Sequence, residues 1–538
     1  MRVADQIALS LRECGCQKLY MVTGGASMHL NDALTKVFKD EVIYLHHEQS
    51  CAMAAESYAR ISGRPAVVNI TAGPGSINAI NGVFGAYVDS IPMIILSGQA
   101  KTETLTTSYP NLKLRQLGDQ EVDIVAMVQK ICKTAIQLKD GDSINIIIQE
   151  CYDLATSGRP GPVWIDIPID IQSKSTKDQP SNNLGKEMAI KKQLVKKEAI
   201  PEVTESELRE LADKLLTSNR PTIYIGNGIR LSESHKELLE FLKEWPLATV
   251  TSWNSNDLLW DSHNSYCGRA GTIGNRSGNF ATQYSECILI LGARLNIRQV
   301  GYNWVSFGKN AWKAHVDIDK AELDKPTLRT DLKINSDLKG FLPRLSKMLR
   351  IRSVNTKEGT GGIKKHWRDW IGWNKKNLQT YSYDHCILKN KSCKINPYRL
   401  INKLSKKIRD DAVIVCANGT ACVVGFQAFD IKKGQRLFHN SGCASMGYEI
   451  PALIGAFNAV NKEVFCIAGD GSIMMNLQEL AYIGGNRIPA KIILLNNKGY
   501  HSIRQTQARY FPENIIGCGT DSGLPFPEFS LLCQGFGI

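Results

Sequence analysis

The sequence predicts an α/β protein built from three doubly wound parallel-sheet domains. Three observations lead there. Short apolar runs of strand length alternate with helix-like stretches, the pattern of parallel sheets covered by helices on both faces. Two polar, lysine-rich stretches cut this alternation into three blocks. Glycine-rich turns follow many of the apolar runs, and in open parallel sheets ligands bind beyond the carboxyl ends of strands. The chain length of 538 residues agrees, since domains average roughly 150 residues.

The first domain is expected over residues 1–172, with strands at 18–22, 42–45, 66–70, 93–96 and 163–167. Residues 173–200 read as a linker. A second domain spans 201–350, with strands at 222–225, 248–251, 287–291 and 314–318. Residues 351–395 read as another linker. The third domain covers 396–538, with strands at 412–415, 436–439, 463–467 and 491–495.

Composition narrows the function classes. The chain is 43% hydrophobic and 22% charged, as soluble globular proteins are. Its formal charge is +13, but much of the excess lysine falls in 186–197 and 347–376. No zinc finger, basic zipper or aromatic–basic repeat accompanies it, so no nucleic-acid partner is expected. The longest apolar runs, 91–96 and 492–495, are strand-sized, and no membrane span is expected. Arg2, Asp5 and Gln6 interrupt the N-terminus, which leaves no apolar export signal. Fifteen cysteines without paired spacing suit a reducing cytoplasm.

The strongest chemical signal is Gly469-Asp470-Gly471-Ser472, followed by Asn496-Asn497, with Asn497 lying 27 positions beyond Asp470. Each element follows a predicted strand, and adjacent parallel strands would bring both turns to one sheet edge. Mg²⁺ takes about six oxygen ligands. Asp470 offers a carboxylate oxygen, Asn497 an amide oxygen and Gly499 a backbone carbonyl. Two diphosphate oxygens and a water would complete the shell. Gly471 would let the backbone approach a phosphate. Ser472 would open a helix over 473–483 whose N-terminus favours anions. Either turn alone is an ordinary β-turn, because Gly, Asp and Asn make turns everywhere. The pair at this spacing is the informative feature.

This pattern resembles the hallmark of thiamine-diphosphate enzymes. With Ser441-Gly-Cys-Ala-Ser-Met446-Gly447, Met475-Asn-Leu-Gln-Glu-Leu480 and Ile503-Arg-Gln505, the chain resembles the acetohydroxyacid (acetolactate) synthase large subunit, from about residue 4 to its end. The resemblance implies an activating glutamate, supplied by His46-His47-Glu48-Gln49. Read alone, Glu48 is an acid at a helix N-terminus, over 50–60. In the family it contacts N1′ of the aminopyrimidine, general acid–base catalysis relayed through the cofactor. By the same resemblance Pro74, Gly75 and Asn78 lie near the aminopyrimidine, and Gln120 points at the reacting centre. Gly24, Gly25 and Ala26 line the substrate side. Met446 props the cofactor in its bent shape. Glu48 and Asp470 act on one cofactor from different subunits, so a homodimer or homotetramer is implied.

In the second domain, Gly226-Asn227-Gly228, Gly292-Ala293-Arg294 and Asp317-Ile318-Asp319 each end a predicted strand. Glycine turns there can hold a dinucleotide through their amides, with a carboxylate for ribose or adenine. The synthases bind FAD at these motifs, which implies FAD contacts at Gly226, Gly228, Gly292, Arg294 and Asp317. Other thiamine relatives keep the domain without the flavin, and 271–279 is shorter than the family's flavin loop, so both readings stand.

The chain departs from the family in four places. Thr506 stands where a tryptophan shapes the second-substrate pocket, and Ile169 stands where a lysine is usual. Gly419-Thr420 replaces a Gln-His pair near the diphosphate. The chain stops at Ile538, where relatives continue for a helix and a strand. The activation machinery is present and the acceptor side is altered. The expected activity is decarboxylation of a 2-oxo acid such as pyruvate, with transfer of the acyl anion to a carbonyl acceptor. The acceptor is pyruvate, giving acetolactate, or a larger keto-sugar nucleotide of surface-sugar biosynthesis. Release of a free aldehyde, oxidation through a flavin and a non-catalytic paralogue are the competing outcomes.

Overall fold

Every strand of the first sheet is parallel, in the order β2-β1-β3-β4-β6-β5. The strands are β1 (Leu19–Met21), β2 (Val42–Tyr44), β3 (Ala66–Ile70), β4 (Met93–Gln99), β5 (Thr134–Gln137) and β6 (Pro162–Pro168). β3, β4 and β6 are buried at every residue, which is why they read as continuous apolar runs. The chain winds from β1 out to β2 and then returns to place β3 on the other side of β1. The turns after β1 and β3 therefore flank a topological switch point, where such sheets bind ligands.

This computed structural model describes residues 1–176, 200–354, 356, 359–382 and 395–538. Most of the linker expected over 173–200 lies outside them, as do residues 383–394. The chain forms two compact units. One comprises Met1–Glu198, Val415–Gly419 and Asn440–Ile538; the other comprises Ala199–Ile414 and Thr420–His439. Among the described residues no helix is long and apolar enough to cross a membrane.

The first unit also holds β15 (Val464–Gly469) and β16 (Ala490–Leu495), paired in parallel with Gly469 opposite Leu495. They share a sheet with β13 (Val413–Cys416), whose last two residues belong to this unit. The helix expected over 473–483 is broken. A turn of helix at Asp470–Ile473 gives way to a 3₁₀ segment, Met474–Glu479, in which Asn476 leaves helical geometry (φ −137°, ψ 37°), and helix resumes at Leu480–Gly485. The cause is the fully buried Asn476 side chain. Its Oδ1 accepts from Ser50 Oγ (3.1 Å), and its Nδ2 donates to the Gly447 carbonyl (2.9 Å).

The second unit carries a parallel sheet ordered β12-β11-β10-β7-β8-β9. Its strands are β7 (Pro221–Ile225), β8 (Ala248–Thr251), β9 (Tyr266–Arg269), β10 (Cys287–Leu291), β11 (Trp312–Asp317) and β12 (Leu332–Asn335). The linker expected over 351–395 contains a helix, Gly359–Thr380. Its lysines hide an apolar stripe. Ile363, Trp367, Trp370 and Ile371 are buried, and Trp367 Nε1 donates to the Ser218 carbonyl (3.0 Å).

In the first sheet, Asp166 is fully buried and accepts from Ser97 Oγ (2.6 Å), Gln137 Nε2 (2.9 Å) and Gln99 Nε2 (3.2 Å). Burial outweighs these bonds and pushes its carboxyl up to about 6. The folded chain then holds a proton that the unfolded chain has released. Asp166 contributes stability below its unfolded pKa, and that contribution is lost as pH rises through about 6. The loss is about 3 kcal/mol in all. Denaturant titrations between pH 4 and 7 should show this fall, and Asp166→Asn should flatten it. A second prediction concerns Gly455. A Cβ there would collide with the Ala54 carbonyl oxygen, so Gly455→Ala should cost about 3 kcal/mol. Gly372→Ala, whose Cβ would meet nothing within 4 Å, should not lower stability.

Candidate active site

The parallel register of β15 and β16 brings the turns after both strands to one edge of the sheet. Asp470 is buried there. Its Oδ1 accepts from the Gly471 amide (2.9 Å) and its Oδ2 from the Gly499 amide (2.8 Å), which holds the 497–499 loop against it. The Oδ1 atom of Asn497 is buried and has no hydrogen-bond partner among the described residues. A buried acceptor without a donor is costly unless something absent from the chain satisfies it. The Gly499 carbonyl accepts from the His501 amide (3.0 Å) and keeps a second lone pair. A carboxylate, an amide oxygen and a carbonyl are hard oxygen donors, and together they fit Mg²⁺. Among the described residues no group of three His, Cys, Asp or Glu could hold a metal.

One residue of this end was quoted in the sequence only as part of a motif. The guanidinium of Arg504 donates to the carbonyls of Lys498 (2.7 Å), Cys518 (3.1 Å) and Asn497 (3.3 Å). Gly499, at φ +134°, has no room for a Cβ against the Cys518 carbonyl. Arg504 and this glycine fix the 497–499 loop. No sequence signal separates such a carbonyl-binding arginine from a solvated one.

Gly471 and Ser472 differ from expectation. The space left by the missing Cβ of Gly471 is filled by the Tyr500 ring, and its amide is engaged by Asp470. The helix that Ser472 was expected to open is four residues long, too short for a strong dipole. Gly419 sits at φ +59° and Thr420 begins the helix Thr420–Ala428. Met446 lies between two fixed residues. Asn418 Nδ2 donates to the Ser445 carbonyl, and Asn476 holds the Gly447 carbonyl.

The other set of predicted residues gathers at the switch point of the first sheet. Glu48 is the first residue of the helix Glu48–Ser62, capped by His47 Nδ1, which accepts from the Gln49 amide (3.1 Å). Asn78 Nδ2 donates to Glu48 Oε2 (3.0 Å). Pro74 opens the helix Pro74–Asp89. A Cβ on Gly75 would stand 3.2 Å from Glu48 Oε1 and 2.8 Å from Thr71 Cγ2, so glycine leaves room for the carboxylate. Thr71 also meets the first turn, since a Cβ on Gly24 would lie 2.6 Å from its Cγ2. Gly25 has open space around it, and the Ala26 carbonyl accepts from Gln172 Nε2 (2.7 Å). Gln120 is exposed at φ +56°, and its backbone carbonyl packs against Gly73. The carboxylate of Glu479, fully buried, accepts from the His46 amide (3.2 and 3.3 Å) and steadies the approach to Glu48. Among the described residues Glu48 makes no hydrogen bond to Asp470, Asn497 or Gly499.

The glycine turns of the second unit pack against one another. The Gly226 amide donates to the Leu291 carbonyl (2.9 Å), the Gly228 amide to the Gly292 carbonyl (2.9 Å) and the Gly292 amide to the Val316 carbonyl (3.0 Å). A Cβ on Gly228 would lie 2.6 Å from the Gly292 Cα, and one on Gly292 would lie 2.7 Å from the Gly228 Cα. These glycines let two turns touch backbone to backbone. Asp317 is buried, and its Oδ1 accepts from the Asp319 amide (3.0 Å). Arg294 lies in the loop after β10. The amides of Gly226, Gly228 and Gly292 are thus engaged by backbone carbonyls.

Comparison with known proteins agrees with this layout. Three family models of thiamine pyrophosphate enzymes match: the N-terminal TPP binding domain over residues 1–127, the central domain over 208–345 and the C-terminal TPP binding domain over 417–538. The acetolactate synthase large subunit of Lactococcus lactis is 32% identical over 98% of this chain and 86% of its own length. The acetolactate synthase isozyme 1 large subunit of Escherichia coli is 27% identical over 99% of this chain and 88% of its own. The chloroplastic acetolactate synthase of Arabidopsis thaliana is 30% identical over 99% and 76%. The chain therefore belongs to the thiamine pyrophosphate enzymes, among the relatives of the acetolactate synthase large subunits.

Proposed function

We propose that the chain decarboxylates a 2-oxo acid, pyruvate, and transfers the resulting acyl anion to a carbonyl acceptor, with a second pyruvate giving acetolactate. The observation that carries this reading is the buried Asn497 amide oxygen, without a hydrogen-bond partner among the described residues, on the loop held against Asp470. Asp470, Asn497 and the Gly499 carbonyl would hold Mg²⁺, and the ion would bind the diphosphate of the cofactor. Thiamine diphosphate, when bound, supplies a nucleophilic carbon that adds to the oxo group and accepts the electrons left by CO₂.

Glu48 would set its carboxyl group against the aminopyrimidine. Asn78 occupies one of its carboxylate oxygens and Gly75 leaves the other unobstructed, so the carboxylate is aimed without being blocked. That carboxylate serves the metal end of a second copy, in a homodimer or homotetramer. Support comes from the helix Pro74–Asp89, which carries Gly75 and Asn78 and exposes Ile77, Phe84 and Tyr87, apolar surface suited to burial against another chain. The described cysteines are free, in keeping with a cytoplasmic enzyme.

A larger acceptor, such as a keto-sugar nucleotide, is the second reading. Thr506 is exposed and its hydroxyl donates to the Ser502 carbonyl (3.0 Å). Its helix, His501–Tyr510, has no buried residue, and Ile503 and Tyr510 are exposed. No aromatic wall at this position limits acceptor size.

Incubation with pyruvate, thiamine diphosphate and Mg²⁺ should release CO₂ and form acetolactate. Absence of both would remove pyruvate as donor, and CO₂ with free acetaldehyde alone would make the chain a simple decarboxylase. Glu48→Gln should retain cofactor binding by calorimetry while turnover falls about 10²-fold or more. Arg504→Met should raise the Mg²⁺ concentration needed for half-maximal cofactor binding about tenfold, the usual effect of releasing a loop behind a metal ligand.

A further inference from the structure

Glu449 is the first residue of the helix Glu449–Val460 and is fully buried. Its Oε2 accepts from the Ser472 hydroxyl (2.8 Å), while its Oε1 has no hydrogen-bond partner among the described residues. Burial pushes its carboxyl up to about 7. A buried polar atom left unsatisfied costs about 1–3 kcal/mol, and an apolar side chain would pack in this position without that penalty. An acid that only favoured a helix N-terminus would stay in solvent. The placement of Glu449 calls for another reason.

That reason lies in what Ser472 does next. A hydroxyl has one proton to donate and lone pairs to accept with. The Ser472 proton goes to Glu449, and its oxygen accepts from the Gly447 amide (3.0 Å). Gly447 is at φ +80°, and a Cβ there would lie 2.6 Å from the Met475 Cβ. Its carbonyl is held by Asn476 (2.9 Å) and the preceding Ser445 carbonyl by Asn418. Met446 thus sits in a backbone clamped on both sides. Through Glu449, one side of the clamp is joined to the Gly469–Ser472 turn that carries Asp470.

We propose that Glu449 is a positioning residue for the cofactor: by accepting the Ser472 proton it sets the direction of the Glu449–Ser472–Gly447 relay and fixes the Met446 peptide relative to the metal-side turn. This rests on the reading of Met446 as the support for the aminopyrimidine and of Asp470 as the metal ligand. Glu449 touches neither substrate nor metal. It sets the spacing between the places where the two ends of thiamine diphosphate would be held.

The test compares Glu449→Gln and Glu449→Leu with the wild type. Thiamine diphosphate binding at saturating Mg²⁺ is measured by calorimetry, alongside the circular-dichroism signal of the bound aminopyrimidine and the unfolding of the protein without cofactor. Glu449→Leu should unfold no earlier than wild type, bind the cofactor about tenfold or more weakly, and lose the aminopyrimidine signal. Glu449→Gln, whose amide oxygen can still accept from Ser472, should stay within about threefold of wild type. Wild-type affinity in Glu449→Leu, or an equal loss in both variants, would overturn the assignment. If Glu449→Leu does not fold, a tenfold loss in Glu449→Gln would overturn it. A wild type that binds no thiamine diphosphate would overturn the functional reading and this one together. A wild type that binds while Glu449→Leu binds equally well would overturn only the role of Glu449.

Discussion

The helix that begins at Glu48 is buried at every residue from Ser50 to Arg60. Two glycines allow this. A Cβ on Gly82 would lie 2.6 Å from the Ala52 Cβ, and one on Gly455 would collide with the Ala54 carbonyl oxygen. Neighbouring helices from opposite ends of the sequence therefore approach this helix at backbone distance. Polar groups reinforce the contact. Arg60 pairs with Glu56 and with Asp89 (2.8 Å), Tyr448 donates to Glu56 (2.5 Å), and Ser57 donates to the Ala452 carbonyl (2.6 Å). The guanidinium and both carboxylates are buried and paired, so loss of any one would strand a charge. Glu48 stands at the start of this packed helix, which would hold its carboxyl group in one place. Tyr448, beside Glu449 and two residues from Met446, ties the same packing to the segment that carries Met446.

The metal end follows a different logic. It offers one carboxylate and two neutral oxygens. A diphosphate brings several negative charges, and further protein carboxylates would repel it. With one charged ligand, a bound Mg²⁺ would stay net positive toward the cofactor. The loop supplying the neutral oxygens is held by Arg504 through backbone carbonyls, which would orient those oxygens toward a metal without adding a group that competes for it.

Much of this was legible in the sequence. The apolar runs before Gly24, Gly73 and Asp470 became β1, β3 and β15, because strands buried on both faces must be apolar throughout. The register that joins Asp470 to the Asn497 loop followed from two adjacent parallel strands. The misses have physical causes. β5 is half-buried, β9 contains Gly268 at φ +118°, and β12 is a short edge strand, so none shows a clean apolar run. The helix Gly359–Thr380 was masked by its charged face. The break at Asn476 depends on partners at Ser50 and Gly447, distant in sequence and invisible to local propensity. The glycines of the central sheet show that one residue type can serve close packing as readily as anion binding. Glu449 carried no signal, since an acid at a helix start looks solvated until its burial is seen.

The central claim is that Glu48 of one copy completes the metal-anchored site of another, and subunit complementation tests it most directly. Chains carrying Glu48→Gln and chains carrying Asp470→Ala, each inactive alone, would be dissociated, mixed and reassembled, with tags to isolate the mixed dimers. A shared site predicts that one site of each mixed dimer collects both substitutions and the other collects neither, so the unfractionated mixture should recover about a quarter of wild-type activity. Verified mixed dimers with no recovered activity would contradict it.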